Sequence, residues 1–463
     1  MEILKFWRFL LSGMIFLGGC GASEKAPMEI AFRSSISNLD PIRENTVISN
    51  SIYCNLYEPL VVRDSNLRIT PALAVEWSNP DDRTWLFKLR PNVRFHDGTP
   101  LQAQDVRFSL ERARKDRGSH LISSLAVLQS VDVVNENTIR IVTQKPYSIL
   151  LSRLVDIWIL PQKSFSQPRP LQEFPGTGPY RLANWKQGQF VELSANPDYW
   201  GGKPLIERVH FAAVPALRAR LNLLKQNQAQ IIPLLEPEAL SDPLFQEPGK
   251  VKIHSTPGLT VLFLAMDVRR KKTPFVNAPS NPFRDYRVRK AIYHAVNLRK
   301  IVNEILRGNA MEATQLTAPK VFGHNAAIHR LEYDPALSRE LLKQAGYPAG
   351  FSVRFDVTNN RHRNDLEIGK SIAADLKKVG IQANINAVGI EVLEQMRARS
   401  DSSFQMMGWT LPSTDSSGAL DYLVHTSNPE AGYGIENIAG YSNPEVDRLI
   451  QESAGKIEPA GGR

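Results

Sequence analysis

The sequence predicts an α/β protein, and three observations carry that prediction. Residues Phe351–Val357 alternate apolar and polar, residues 365–379 bring Leu366, Ile368, Ile372, Leu376 and Val379 to helical spacing before Gly380, and Ile381–Ala387 alternates again. Strand, helix and strand thus follow one another within 37 residues, the pattern of a βαβ unit with a right-handed parallel crossover. Second, strand-like and helix-like segments intermix along the chain, with no repeat and no low-complexity run. Third, the 463 residues are 42% hydrophobic and 22% charged, close to globular averages, which excludes collagen-like, coiled-coil and wholly disordered chains. At about 150 residues per domain the length suggests about three units. Two cysteines cannot staple a chain of this size.

At the amino terminus, Glu2, Lys5 and Arg8 lead into the apolar stretch Phe9–Leu17. That stretch is far short of the roughly 20 residues that cross a bilayer, so residues 1–19 read as a secretory signal peptide. Leu17-Gly18-Gly19-Cys20 resembles the lipobox of bacterial lipoproteins, although Gly18 stands where Ala or Ser is usual. The resemblance implies cleavage before Cys20 and a lipid on its thiol, which would hold the chain at a membrane of the cell envelope. Residues 20–27 are then a tether of small and polar residues. Cys54 is the remaining thiol and is expected to pack as a small apolar residue.

The segment Met28–Arg33 alternates as a half-buried strand does, and Trp85–Arg90 reads as another, followed by a turn over Pro91–Gly98. Asp105 stands ahead of Val106, Phe108 and Leu110, in the first turn of an amphipathic helix near the positive end of its dipole. Thr260–Met266 is a buried-type strand. Residues Tyr286–Arg307 carry Val288, Ile292, Val296, Ile301, Ile305 and Leu306 at helical spacing, up to a carboxy-terminal cap at Gly308.

The net charge of +9 could suit nucleic acid or an anionic surface. The charges are spread, however, and the knots Arg269–Lys272 and Arg361–Arg363 lack interleaved aromatics, so both read as solvated turns and no nucleic acid is expected. Enzyme signatures are missing: no Gly-x-Ser-x-Gly, no His-Glu-x-x-His and no phosphate-cradling loop, since Pro197 stands where the loop before Gly202-Lys203 needs glycine. Gly176-Thr177-Gly178 is followed by Pro179 and Arg181, which rejects a dinucleotide fingerprint. Nine scattered His form no metal set, and no cofactor is expected. An exported, membrane-tethered α/β body without a reactive centre fits a binding protein rather than an enzyme.

Ten stretches, in order, resemble the extracytoplasmic solute-binding proteins of ABC importers, the peptide, opine and nickel family known as family 5. Among them are Leu39-Asp40-Pro41, Asn55–Leu60, Pro71–Ala74 with Trp77, Phe87–Arg90 through Phe95–Pro100, and Ala103 with Asp105-Val106. The rest are Gly176–Tyr180, Asn196–Trp200, Pro282–Asp285 with Val288–Ile292, Gly408-Trp409 and Tyr441–Asp447. Most of these residues are expected to hold the fold rather than touch ligand.

The resemblance implies a type II clam-shell of the large, three-subdomain form, a monomer working with an ABC permease and ATPase. Carried over by position, domain I takes 28–45 and 176–258, domain II 46–175, and domain III 259–463. It places Glu44, Asn45 and Val47 on one wall of the ligand cleft and Gly408, Trp409 and Thr410 on the other. Two departures stand out. Peptide binders carry an acid three residues after that Trp, to meet the ligand's amine, and here the position is Pro412; an unpaired buried ammonium would cost several kcal/mol. Either Asp415 substitutes after a loop shift, or the cargo lacks a free α-amine, which is the favoured reading. The chain also stops at Arg463, where family members continue with a closing element, so domain III is expected to be truncated. The expected cargo is a peptide-like solute; the rivals are an opine, glycan, metallophore or nickel chelate on the same scaffold, or an envelope sensor or chaperone without transport.

Overall fold

The computed structural model describes residues 26–165, 175–410 and 415–455. Three sheets, each over its own hydrophobic core, divide the chain into lobes. The first has the strand order Met28–Phe32, Arg208–Ala213, Phe190–Ala195, Tyr180–Lys186; the first pair is parallel and the others antiparallel. Its amino-terminal strand therefore pairs with one about 180 residues later, as the register Ile30 opposite Phe211 records. The helix Val47–Leu56 closes this core with Ile48, Ile52, Tyr53 and Leu56.

The second sheet is antiparallel, in the order Ala74–Ser78, Thr84–Leu89, Thr138–Thr143, Leu128–Asn135. The helix Ala103–Lys115 covers it with Val106, Leu110 and Ala113. Asp105 does sit in the first turn of that helix, where its Oδ2 accepts from the Gln102 N–H at 2.9 Å. A short hairpin, Val61–Arg63 with Ile69–Pro71, leans out from this lobe.

The third sheet contains the anticipated βαβ unit. Phe351–Thr358 and Ile381–Val388 pair in parallel over eight positions, with the helix Asp365–Lys377 between them in sequence. Thr260–Met266 pairs antiparallel with Phe404–Thr410, which touches Phe351–Thr358 at Gln405 opposite Asp356. Phe283, Phe355 and Phe404 stack at the centre of this core.

Two expectations change. The single helix expected over Tyr286–Arg307 ends at Ala295, and the chain resumes as Leu298–Lys300 and a π-helical turn, Ile301–Ile305. The break has tertiary causes: the Asn297 N–H donates to Asp375 Oδ2 at 3.0 Å, and Arg330 Nη2 donates to Val296 O at 2.9 Å. Asn297 then recaps the chain by accepting from the Lys300 N–H. Cys54 is exposed rather than packed, because its helix turns Ile52, Tyr53 and Leu56 inward and leaves position 54 outside. Among the described residues, no helix is long and apolar enough to cross a membrane. The signal peptide, Cys20 and the tether up to residue 25 lie outside the described residues, as do Pro412 and residues 456–463.

Candidate functional site

The lobes meet around a frame that the family-like stretches build. Thr46 and Ser49 form a reciprocal cap at the start of the helix Val47–Leu56. At its other end the chain passes beneath Gly176 and Gly178. A Cβ on Gly176 would lie 1.8 Å from Leu56 O, so only glycine permits this crossing. His96 ties the crossing to the second lobe. Its Nδ1 accepts from the Gly176 N–H at 3.1 Å and its Nε2 contacts Gly178 O at 3.0 Å, which makes Nε2 the protonated nitrogen. Burial holds this imidazole neutral, with its pKa pushed down to about 4.

Glu58 is the second tie. It is buried, and its Oε1 accepts from Tyr199 Oη at 2.9 Å while Oε2 accepts from Trp200 Nε1 at 2.9 Å. Arg90 lies over the Trp200 ring at 3.9 Å. Burial pushes the Glu58 carboxyl up, and the Trp200 and Tyr199 bonds pull it back. Glu58, Trp200 and Tyr199 line a cavity of about 400 Å³ together with Arg63, Asp156 and Trp158.

The third lobe faces this junction. Trp409 lies opposite Val261, meets Tyr422 edge-on at 6.2 Å, and packs in a cluster that includes Leu67 from the tip of the second lobe's hairpin. Its Nε1 is buried without an acceptor. Thr410 shares a hydroxyl contact of 2.7 Å with Thr260. The His362 ring and the Leu262 side chain close over Gly408, where a Cβ would come 2.2 Å from His362 Nε2 and 2.8 Å from Leu262 Cδ2. The loop carrying His362 then reaches the first lobe, where Arg363 donates to Leu234 O and Leu235 O at 2.7 and 2.5 Å. Asp415 is buried, its Oδ1 accepts from the Ser417 N–H at 2.7 Å, and its charge is felt by Arg63 of the second lobe. Lys145 of the second lobe donates to Tyr433 Oη at 3.1 Å. Burial raises the neighbouring Asp421 carboxyl to about 6, against the pull of Arg153 and Lys145.

The residues singled out from sequence fall into two sets. Gly408, Trp409 and Thr410 share one strand end, with Asp415 beyond it. Glu44, Asn45 and Val47 sit at the edge of the first lobe. Glu44 Oε2 accepts from Ser37 N and Oγ and from Asn38 N, and Asn45 Oδ1 accepts from Asn50 Nδ2, so these bonds stay within residues 37–50. Val47 is 63% exposed. The groups that sequence reasoning missed are Arg63, Lys145, Asp156, Trp158 and Tyr433. Arg63, Asp156 and Trp158 stand at or beside apolar runs, as solvated strand ends also do, while Lys145 follows Thr143-Gln144 and Tyr433 sits between two glycines, where no signal pointed to them. Among the described residues, no group of three His, Cys, Asp or Glu could hold a metal ion.

The profile described as "Bacterial extracellular solute-binding proteins, family 5 Middle" matches residues 68–431. The chain belongs to this family. The glutathione-binding protein GsiB of Shigella boydii is 27% identical over 475 residues, covering 97% of this chain and 88% of that one. HbpA2 of Haemophilus parasuis superposes with a TM-score of 0.81 at 23% identity, over 94% of this chain and 89% of that one. DppA of Helicobacter pylori, solved with the peptide STSA, gives 0.72 at 23% identity, over 94% and 87%. The periplasmic-binding-protein fold expected from the resemblance is therefore the fold observed. Within the stretches that carried the resemblance, His96, Gly176 and Gly178 pin the lobe crossing. Trp200 does both: it packs against the second lobe's core and lines the cavity.

Proposed function

We propose that the chain captures a peptide-like solute between its lobes outside the cytoplasm and delivers it to the permease and ATPase of an ABC importer. No bond is broken; domain closure does the work. The observation that supports this best is the set of contacts between lobes, where Lys145 reaches Tyr433 and Arg363 reaches Leu234 and Leu235, together with an aromatic-walled cavity between the first two lobes. Such a polar and aromatic seam is what a closing receptor needs: aromatic walls to bury cargo and fixed polar groups to set its register. Among the relatives and solved neighbours whose names state a ligand, some bind glutathione or peptides and others bind Ni(L-His) complexes, which supports a peptide-like solute over a glycan and leaves a nickel chelate as the second reading. The lobes divide as 28–45 with 176–258, 46–175, and 259 onward; the helix Val47–Leu56 packs in the first core, which shifts that boundary toward Tyr57.

A thermal-shift screen of short peptides tests the reading. A true ligand at about 100 times its Kd adds about 2.7 kcal/mol of stability, and a screen in which no solute of this class shifts the melting temperature rejects it. We further propose that lipid on Cys20 anchors the receptor. Cys20→Ser should move the protein from membrane to soluble fractions, and unchanged partitioning would sink the anchor.

A further inference from the structure

The hairpin that leans out from the second lobe carries at its tip a residue that suits neither the turn nor the solvent. Its base is fixed to its own lobe: Val61 is fully buried, Arg63 Nη2 donates to Ser152 O at 2.8 Å, and Ile69 packs on the second core. Asp64 closes the loop between the two strands. Its Oδ1 accepts from the Asn66 and Arg68 N–H groups at 2.8 and 3.0 Å, and its carbonyl accepts from the Leu67 N–H at 2.9 Å. That closure holds Leu67 in the left-handed region, at φ +65°. Glycine or asparagine enters this region at little cost and leucine does not, yet Asn66 stands one place too early to take it.

The side chain is as unfavourable locally as the backbone. Ser65, Asn66 and Arg68 are exposed, whereas Leu67 is half-buried. It packs on a cluster formed by Ala318, Val321, Ala419 and Leu423, to which Trp409 also belongs. Among the described residues, every other member of this cluster lies at or beyond position 259, in the third lobe. Nothing within the second lobe accounts for a left-handed leucine at a hairpin tip, and the contact across the lobes does. The polar tie on this side, Lys145 to Tyr433, is exposed, so water can replace it at little loss. A leucine withdrawn from the cluster is instead left bare in water.

We propose that the hairpin tip is a latch, with Leu67 as the plug and the third-lobe cluster as its socket, and that their contact sets how long the second and third lobes stay together. The closing motion belongs to the receptor reading above, on which this inference rests. Because the plug is part of the chain, it favours closure by the same factor whatever the cargo. Its loss therefore lowers every affinity by one common factor, through the fraction of receptor that is closed.

Small-angle X-ray scattering on the full chain, with no solute added, tests the latch. Leu67→Asn keeps a residue that accepts left-handed backbone but cannot fill an apolar socket, and Leu67→Met keeps the apolar side chain. The ratio of closed to open lobes should fall about tenfold in Leu67→Asn and less than about threefold in Leu67→Met. Both variants should melt within a few degrees of the parent. Equal scattering by the parent and Leu67→Asn overturns the latch and leaves the receptor reading standing. Opening that comes only with a large fall in melting temperature overturns it too, since the hairpin itself would then have been lost. Solutes that stabilise the parent in the thermal-shift screen should all lose the same factor of affinity in Leu67→Asn. A loss confined to one solute makes Leu67 a contact for that cargo and overturns the latch. If no solute stabilises the parent, the receptor reading fails, and the scattering comparison still decides the latch by itself.

Discussion

The third lobe contains a second cavity, an apolar groove of about 670 Å³ lined by Val261, Phe263, Ile292, Val302 and Leu306 among others. The junction cavity is smaller, at about 400 Å³, and is walled by Trp158, Trp200, Arg63 and Asp156. In the groove the charged groups have partners within their own lobe: Arg330 donates to Val296 O and pairs with Glu312. At the junction, the Arg63 Nε is buried without an acceptor, and the Lys145–Tyr433 contact runs between the second and third lobes. Volume alone therefore does not mark a ligand site; the two cavities differ in the chemistry of their walls.

The largest effect that could break this contrast comes from the frame of the junction. Gly176→Ala would put a methyl 1.8 Å from Leu56 O, where backbone and not a flexible side chain must yield. We expect a loss of about 3 kcal/mol or more in chemical denaturation. Retention of the parent's midpoint would mean that the crossing does not hold the lobes in register.

A smaller effect, in pH, sharpens the same contrast, because two junction groups titrate in one window with opposite signs. Asp421 has a folded pKa of about 6, above the unfolded value near 4. Its ionisation therefore costs the folded state: stability is highest below about 4, falls as pH rises to about 6, and is level beyond, by on the order of 2 kcal/mol. Asp421→Asn should remove that slope and raise stability at neutral pH. His96 runs the other way, with a folded pKa of about 4 below an unfolded value near 6.5, so its contribution is complete above about 6.5 and is lost as pH falls toward 4. Denaturation midpoints of Asp421→Asn and His96→Gln between pH 4 and 7 should diverge from the parent in opposite directions. Parallel profiles would show that the two groups are not held as described.

Much of the frame was legible in the sequence, because local rules fix it. The alternation of Phe351–Thr358 and Ile381–Val388 needs only the pleat of a strand, and Asp105 needs only the dipole of its own helix. The helix expected through Arg307 failed at Val296 because Asp375 and Arg330, remote in sequence, take its backbone groups. Cys54 was misplaced for a similar reason: which face of its helix is buried depends on the sheet beneath it. The site was the least legible part. Arg63, at the end of a hairpin strand, and Asp156, after the helix Leu150–Leu154, lie 93 positions apart in the sequence and share a cavity through tertiary packing, so no spacing rule could pair them.

The smallest expected effect is the most pointed, because it asks whether the larger cavity matters to ligand at all. Ala310 lines the groove and is half-buried, so Ala310→Trp can fill open space there without displacing the core beneath. If the groove is incomplete packing, the added ring leaves peptide affinity within about twofold and changes stability by no more than about 1 kcal/mol. The junction is built from other residues, Arg63, Asp156, Trp158 and Trp200, so nothing in their contacts transmits the change. A tenfold loss of affinity in calorimetry, with the melting temperature unchanged, would instead place ligand in the groove, and the polar groups at the junction would then belong to lobe contact rather than to cargo.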